Sequence, residues 1–152
     1  MIREAVAADV PQIVALLHDD PQGARRESLS PEVLPRYQSA FAQITSDPQA
    51  VLLVAEMDGA IIGCLQMNML AGLSYQGITR ALIEDVRVAK TYRGKGLGRQ
   101  LMDAATALAT ARGCGLVELF VHNERADAHA FYEACGFEGQ HRGYRRQLDT
   151  PD

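Results

Sequence analysis

Residues 85–99 constrain this chain more than any other stretch: Asp85-Val86-Arg87-Val88-Ala89-Lys90-Thr91-Tyr92-Arg93-Gly94-Lys95-Gly96-Leu97-Gly98-Arg99. A strand runs into three alternating glycines and a helix begins at once. The first N–H groups of a helix have no partners inside it and carry the positive end of its dipole. Glycines let an anion approach that backbone closely. Arg93, Lys95 and Arg99 add positive charge around it. One reading is therefore an anion site, most naturally for a pyrophosphate. The other is a tight strand-to-helix turn with exposed basic residues. The spacing fits neither the nucleotide P-loop, which needs Gly-Lys-Ser/Thr after Gly and four residues, nor the dinucleotide fingerprint Gly-x-Gly-x-x-Gly.

The remaining pattern is mixed. Residues 2–6 read as a short first strand. Asp9 is placed to cap a helix with Gln12 as its reciprocal partner, and Val10, Ile13, Val14 and Leu17 recur at helical spacing. Residues 18–23 end that helix and 24–29 read as polar loop. Ser30-Pro31-Glu32 resembles a helix start, followed by a stripe of Leu34, Tyr37, Phe41 and Ile44, with Pro35 obscuring where the helix begins. The continuous apolar run 51–57, the Asp58-Gly59 turn and residues 60–70 read as a hairpin. A loop over 71–79 leads to a long strand, 81–89. A helix is predicted over 97–112, stopped by Gly113-Cys114-Gly115. A strand follows over 116–121. Asp127 caps a short helix carrying Ala128, Phe131, Tyr132 and Cys135 and closed by Gly136. Residues 144–148 read as a last strand. A hairpin followed by strand–helix–strand–helix–strand gives an α/β or α+β sheet with helices on both faces.

The chain has 152 residues, 47% of them apolar and 22% charged. That is the size and balance of one globular domain, read here as residues 1–152. Fifteen Lys and Arg against 19 Asp and Glu leave a formal charge of -4, which argues against a broad nucleic-acid face. No apolar run approaches the roughly 18 residues of a membrane span. The first residues, Met1-Ile2-Arg3-Glu4, do not resemble a secretory signal. Cys64, Cys114 and Cys135 are scattered, form no metal-ligand or redox spacing, and point to a reduced, cytoplasmic setting. No metal site is expected.

Arg93-Gly94-Lys95-Gly96-Leu97-Gly98 resembles the Arg/Gln-x-x-Gly-x-Gly/Ala pyrophosphate loop of the GNAT family of N-acetyltransferases. Ile83-Glu84-Asp85-Val86-Arg87-Val88 is similar to the strand before that loop in many small-molecule members. Asp127-Ala128-His129-Ala130-Phe131-Tyr132-Glu133-Ala134-Cys135-Gly136-Phe137 is similar to the family's later helix with its Tyr-x-x-x-Gly-Phe ending. Nearly the whole chain fits the family's element order. The resemblance implies a mixed, mostly antiparallel sheet in which two parallel strands, 81–89 and 116–121, splay apart to admit acetyl-coenzyme A.

The same resemblance assigns roles. The cofactor arm would pair with the backbone near Val86, Arg87 and Val88. The pyrophosphate would sit on Arg93, Gly94, Lys95, Gly96, Leu97, Gly98 and Arg99. A side chain ahead of the later helix would touch the arm, and here that is Arg125 or Asn123, where the family usually has Asn. Transfer to an amine needs a base, because only the neutral amine attacks, and an acid for the departing thiolate. Tyr132 stands at the acid's position; as a plain residue it reads equally as a core aromatic. Glu84 is the first candidate for the base and Asp85 the second, with ordered water as the other option. On an alternating strand only one of these acids faces a given cleft.

Glu118 reads either as an ammonium contact or as a paired acid. His122 and His129 read as surface residues. The cysteines lack the setting of a nucleophile, which favours direct transfer in a ternary complex. The acceptor pocket would come from residues 18–30, 70–79 and 137–146. Asp19 and Asp20 could hold a cationic amine there, and Arg25 and Arg26 an anionic group. The leading expectation is a small primary amine, with a protein or peptide amine and a non-catalytic acyl-coenzyme A sensor as alternatives. Family members often pair as homodimers; the sequence carries no oligomer signal of its own.

Overall fold

A computed structural model describes residues 1–150. The chain divides into two compact units, Met1–Leu119 and a second beginning at Phe120. The first unit holds a five-stranded sheet in the order β1-β2-β3-β4-β5. Its strands are β1 (Ile2–Glu4), β2 (Ala50–Met57), β3 (Ala60–Leu70), β4 (Arg80–Val88) and β5 (Leu116–Leu119). The first three neighbouring pairs are antiparallel and β4 runs parallel to β5. A hairpin needs only a two-residue turn, so Asp58 and Gly59 join β2 to β3 with φ of 51° and 79°, the left-handed pair that matches strand twist. The parallel pair needs a crossover, supplied by α5 (Leu97–Ala111).

The other helices of this unit are α1 (Val10–His18), α2 (Pro21–Arg26) and α3 (Leu34–Ser46). A short turn, α4 (Ser74–Gly77), contains left-handed Tyr75 and Gln76. Strands β2 and β3 are apolar almost throughout because both faces are covered. On one face Ile13 and Leu16 of α1 pack against Val54, Ile61 and Cys64. On the other, Leu101 and Met102 of α5 are fully buried together with Leu65, Met67 and Ile83. Gly63 makes the second packing possible, since an added Cβ would stand 3.1 Å from Leu101 Cδ1 and 3.2 Å from the Arg87 carbonyl. The mixed sheet with helices on both faces is the expected fold class.

Several local expectations are corrected. Asp9 does not cap α1 through Gln12. Its carboxylate takes two hydrogen bonds from Arg3, at 2.7 and 3.0 Å, and one from the Val6 N–H at 2.8 Å; the Arg3 bonds chiefly hold it below the usual carboxylate range. Gln12 instead accepts from the Ile61 N–H. Residues 21–26, in part assigned to loop, form α2, because Asp20 accepts from the Gly23 N–H and Pro21 occupies the first turn.

The second unit contains α6 (Ala126–Ala134). Its N-cap is Arg125, not Asp127, which lies in the first turn. The expected strand at 144–148 is absent: residues 138–150 carry no strand or helix. Tyr144 and Leu148 are exposed, and an isolated five-residue stretch with no partner ladder does not hold an extended strand.

Leu101 is 0% exposed and bridges α5 to β3. Leu101→Ala is expected to destabilise the protein by about 2–5 kcal/mol, read from urea unfolding; a change under about 1 kcal/mol would mean that α5 does not seat on the sheet through this side chain.

Candidate active site

The parallel pairing of β4 and β5 runs from Arg80↔Leu116 to Ile83↔Leu119 and stops there. Strand β4 continues to Val88, still paired with β3 through Glu84↔Gln66, Arg87↔Cys64 and Val88↔Gly63. Among the described residues, no strand pairs with 84–88 on the β5 side. That edge has no strand partner on its β5 side, where an extended ligand could pair as an added strand does, although the Val86 and Val88 carbonyls each accept one side-chain bond, from Arg87 and Arg93.

The register also shifts inside β4. One β3 residue, Leu65, lies between the partners of Arg87 and Glu84, whereas two residues, Asp85 and Val86, lie between Arg87 and Glu84. This is a bulge. Asp85 adopts φ of 54° to form it, a left-handed conformation that aspartate tolerates better than most residues. The bulge cancels the strict alternation on which the sequence reading relied, and both Glu84 and Asp85 are exposed. Both carboxylates can thus reach solvent-side ligands, so alternation does not choose between them. The Cys64 thiol donates to the Asp85 carbonyl at 3.6 Å and Arg87 Nη1 donates to the Val86 carbonyl at 3.1 Å, so the irregular carbonyls are held.

Downstream, a 3-10 turn at Lys90–Tyr92 leads to the glycine segment. Gly94 and Gly96 have φ of 75° and 84°, which explains glycine at both. Gly96 is the N-cap of α5 and no side chain caps the helix. Its Cβ position, like that of Gly94, meets nothing within 4 Å; the first turn of α5 therefore opens onto free space. Arg93 Nε donates to the Val88 carbonyl at 3.0 Å, tying the loop to the end of β4. Lys95 Nζ stands 5.5 Å from the centre of the Tyr92 ring, and Arg99 pairs with Asp103 at 3.3 Å. Arg93, Lys95 and Arg99 are all exposed. An uncapped helix start with exposed cations beside it is suited to an anion.

Polar side chains outside the sequence motifs line one face of the sheet. Register places Gln66 opposite Glu84 and Asn68 opposite Leu82, and Leu82 beside Glu118. Gln66 and Asn68 are the polar interruptions in an apolar strand and hydrogen-bond to each other at 3.0 Å. Their two-residue spacing is a signal that the sequence did contain. Glu118 is an ion-paired acid, with Arg80 at 2.7 Å. The Arg87 side chain is turned to Asp20, 3.4 Å away, leaving its backbone for the role expected of it. A hollow of about 400 Å³ along α1, lined by Gln12, His18, Asp19, Leu29 and Ile61 among others, draws on the expected acceptor segment 18–30, Asp19 included, and on none of the predicted catalytic or cofactor residues.

The remaining predicted residues belong to the second unit. Tyr132 lies on α6, half-buried, with its ring edge-on to Phe131 at 5.0 Å and to Phe137 at 6.1 Å. Gly136, at φ of 93°, ends the helix, and the Phe137 N–H returns to the Tyr132 carbonyl. The Tyr-x-x-x-Gly-Phe ending is thus a helix stop that sets Phe137 edge-on to Tyr132. Asn123 and Arg125 are exposed in the segment before α6. His122 and His129 serve local structure: His122 Nδ1 accepts from the Glu124 N–H at 3.2 Å, and the His129 ring nitrogen lies 3.1 Å from the His122 carbonyl.

The family model described as the acetyltransferase (GNAT) family matches residues 11–137. The chain belongs to the GNAT acetyltransferase family. An aminoalkylphosphonate N-acetyltransferase of Salmonella typhimurium is 28% identical over 112 residues, covering 74% of this chain and 72% of that protein. A streptothricin acetyltransferase of Streptomyces lavendulae is 44% identical over 68 residues, 44% of this chain, and the match spans 36% of that protein's length. A solved structure described as a transcriptional regulator from Bacillus halodurans C-125 superposes with a TM-score of 0.94 at 39% identity, covering 97% of this chain and 99% of that one. This GNAT chain pairs a β4 that outruns its parallel neighbour with a glycine turn into the next helix.

Cys64 is 1% exposed, and burial pushes its thiol up to about 12. The protonated thiol is thus favoured by folding. Its contribution is complete below the ordinary thiol value of 9.0 and is lost as pH rises toward about 12. A thiol reagent at pH 8 is expected to modify Cys64 only after unfolding, with at most Cys114 and Cys135 reacting in the native protein. Three fast thiols without denaturant would contradict the buried position.

Proposed function

We propose that this protein transfers an acetyl group from acetyl-coenzyme A to the primary amine of a small molecule, by direct transfer in a ternary complex. The observation that carries the reading is the joint occurrence, on one continuous segment, of an open strand edge and an uncapped glycine-rich helix start. An amide-bearing arm ending in a pyrophosphate matches both: backbone pairing along 86–88, and N–H donors with Arg93, Lys95 and Arg99 at 93–99. Bound acetyl-coenzyme A supplies a thioester whose carbon accepts the amine as its sulfur departs.

The chain's own groups then have three tasks. Glu84, directly or through a water, takes the proton that the ammonium must lose; Asp85 is the second candidate, and both are exposed beside the bulge. Tyr132 gives its phenolic proton to the departing sulfur, a role supported by its place in the Tyr-x-x-x-Gly-Phe ending. Exposed Asn123 or Arg125 contacts the cofactor arm. The C–N bond forms as the C–S bond breaks; of the two protons that the ammonium nitrogen sheds, one goes to the carboxylate and the other replaces the proton that Tyr132 gives to the sulfur. The family match spans residues from both compact units, which supports reading 1–152 as one functional domain. The acceptor class is supported by the relatives named for an aminoalkylphosphonate and for streptothricin. The buried or half-buried free cysteines support a reducing, cytoplasmic setting. A homodimer is carried over from the family as part of the same proposal.

The Bacillus halodurans structure favours one alternative, because it is described as a transcriptional regulator: a protein that binds acyl-coenzyme A and does not turn it over. Calorimetry with coenzyme A and thiol release from acetyl-coenzyme A separate the readings. An acetyltransferase gives binding heat and thiol release with aminoalkylphosphonates, amino sugars or polyamines; the sensor gives heat alone. No heat with coenzyme A or acetyl-coenzyme A overturns both. Mass spectrometry of a peptide mixture checks for a peptide acceptor.

Tyr132→Phe is expected to lower kcat about 10²- to 10⁴-fold, the range of a positioned acid, with acetyl-coenzyme A affinity unchanged within about threefold. Full turnover in this variant would remove Tyr132 as the acid.

A further inference from the structure

The cluster that joins α2 to β4 is absorbed by none of the roles above. Arg87 sits on β4 opposite Cys64, on the face covered by α1. Its side chain is 17% exposed. Nη1 holds the Val86 carbonyl at 3.1 Å, Nη2 lies 4.0 Å from Asp85 Oδ1, and Nε lies 3.4 Å from Asp20 Oδ2. Nε is buried and makes no hydrogen bond, so the Asp20 carboxylate is the charge that compensates it. A single guanidinium thus touches the bulge twice and the α1–α2 turn once.

Asp20 also serves two structures. Its Oδ1 accepts from the Gly23 N–H and starts α2, while Oδ2 faces Arg87. Burial alone would raise its carboxyl; the Gly23 N–H together with the charges of Arg87 and Arg26 outweighs that and lowers it below the usual aspartate value. Gly23 is buried so close to the end of α1 that an added Cβ would overlap the Leu17 carbonyl, and α2 folds back tightly there. A second ion pair runs alongside: Asp19 Oδ1 lies 3.2 Å from Lys90 Nζ. Two successive acids of the α1–α2 turn therefore face two bases of the β4 end, three residues apart. Beyond the turn, Arg26 pairs with Glu27 and feels the charge of Asp85, so α2 carries its charges beside the bulge where the two candidate bases sit.

We propose that Asp20 and Arg87 form a latch that sets the position of α2 relative to the β4 bulge, making Asp20 a positioning residue for the acceptor. The inference rests on the reading of the protein as an amine acetyltransferase. Segment 19–27 is one wall of the acceptor region in that reading, and Asp85 is part of its chemistry. Loosening the latch lets α2 move without altering the strand edge or the glycine turn. The acceptor's binding suffers while the cofactor's does not. Lys90–Asp19 is the more exposed pair, so salt screens it first; the less exposed Arg87–Asp20 pair carries most of the effect.

Two substitutions at one position separate the latch from the cap. Asp20→Asn keeps an oxygen able to cap α2 and removes the charge; Asp20→Glu keeps the charge and is a poor cap. With whichever of 2-aminoethylphosphonate, glucosamine 6-phosphate or spermidine is turned over fastest, Asp20→Asn is expected to raise the amine KM about tenfold, within the range for contacting partners. Its kcat and its coenzyme A affinity, measured by calorimetry, stay within about twofold. Asp20→Glu stays near the parent KM. The opposite order, with Asn neutral and Glu impaired, makes Asp20 a cap only and overturns the latch, as does an unchanged KM in both.

Hydrogen exchange of the α2 amides reads the loosened latch with no acceptor present: about tenfold faster in Asp20→Asn, which keeps the cap, than in the parent. Equal exchange in the parent and Asp20→Asn overturns the proposal on its own. A parent protein that gives no heat with coenzyme A instead defeats the functional reading, whatever the exchange experiment reports about the latch.

Discussion

The structure depends on a mismatch in strand length. β5 pairs with β4 over four positions and ends, while β4 runs on for five further residues that β3 supports on the other side. A sheet edge exposed in this way costs hydrogen bonds and invites pairing with another chain. Here the exposed stretch is short, twisted by a bulge and bordered by Glu84 and Asp85, features that discourage edge-to-edge association. The same features leave it able to pair with one extended ligand. The liability of an edge and the usefulness of a binding strand are one property, decided by length and twist.

The bulge draws together parts of the chain that are distant in sequence. Left-handed Asp85 is paid for by a carbonyl bond from Cys64 on β3 and by the guanidinium of Arg87, which also meets Asp20 at the end of α1. Gly63, next to Cys64, allows α5 to lie against β3, and that packing fixes where the glycine turn opens. Cys64 and Gly63 thus act on opposite faces of one strand, one securing the irregular backbone and the other seating the helix that receives the anion. Neither touches a ligand in this account, yet both determine where ligand-facing groups stand.

Much of this was legible from the residues alone. The β2–β3 hairpin followed from two apolar runs around Asp58-Gly59, and the strand-to-helix turn from three alternating glycines, because both signals come from backbone conformations that few residues can adopt. The bulge was not legible. Glu84-Asp85 reads as ordinary alternation, and only the register against β3 reveals the extra residue. Helix α2 was hidden for a related reason: its stability comes from Asp20 capping Gly23 and from contact with Arg87, whereas its own sequence, Pro-Gln-Gly-Ala-Arg-Arg, has a helix-weakening glycine at its centre. The expected last strand failed in the opposite sense. A strand needs a partner ladder, and residues 138–150 have none within their unit.

Charge is distributed along the chain in a way that composition hides. The formal charge of -4 averages a cationic turn, where Arg93, Lys95 and Arg99 are exposed, against an acidic bulge a few residues upstream on the same segment. The exposed cations of 93–99 favour an anion and the exposed acids at 84–85 a cation. A ligand pair with those opposite charges would be oriented by the field before any close contact forms. The ion pairs at Arg80–Glu118 and Arg87–Asp20 remove charges that would blur this separation. What the paired residues contribute is therefore partly what they neutralise: Arg80 and Arg87 turn charge to Glu118 and Asp20, while Glu84 and Asp85 stand exposed at the bulge.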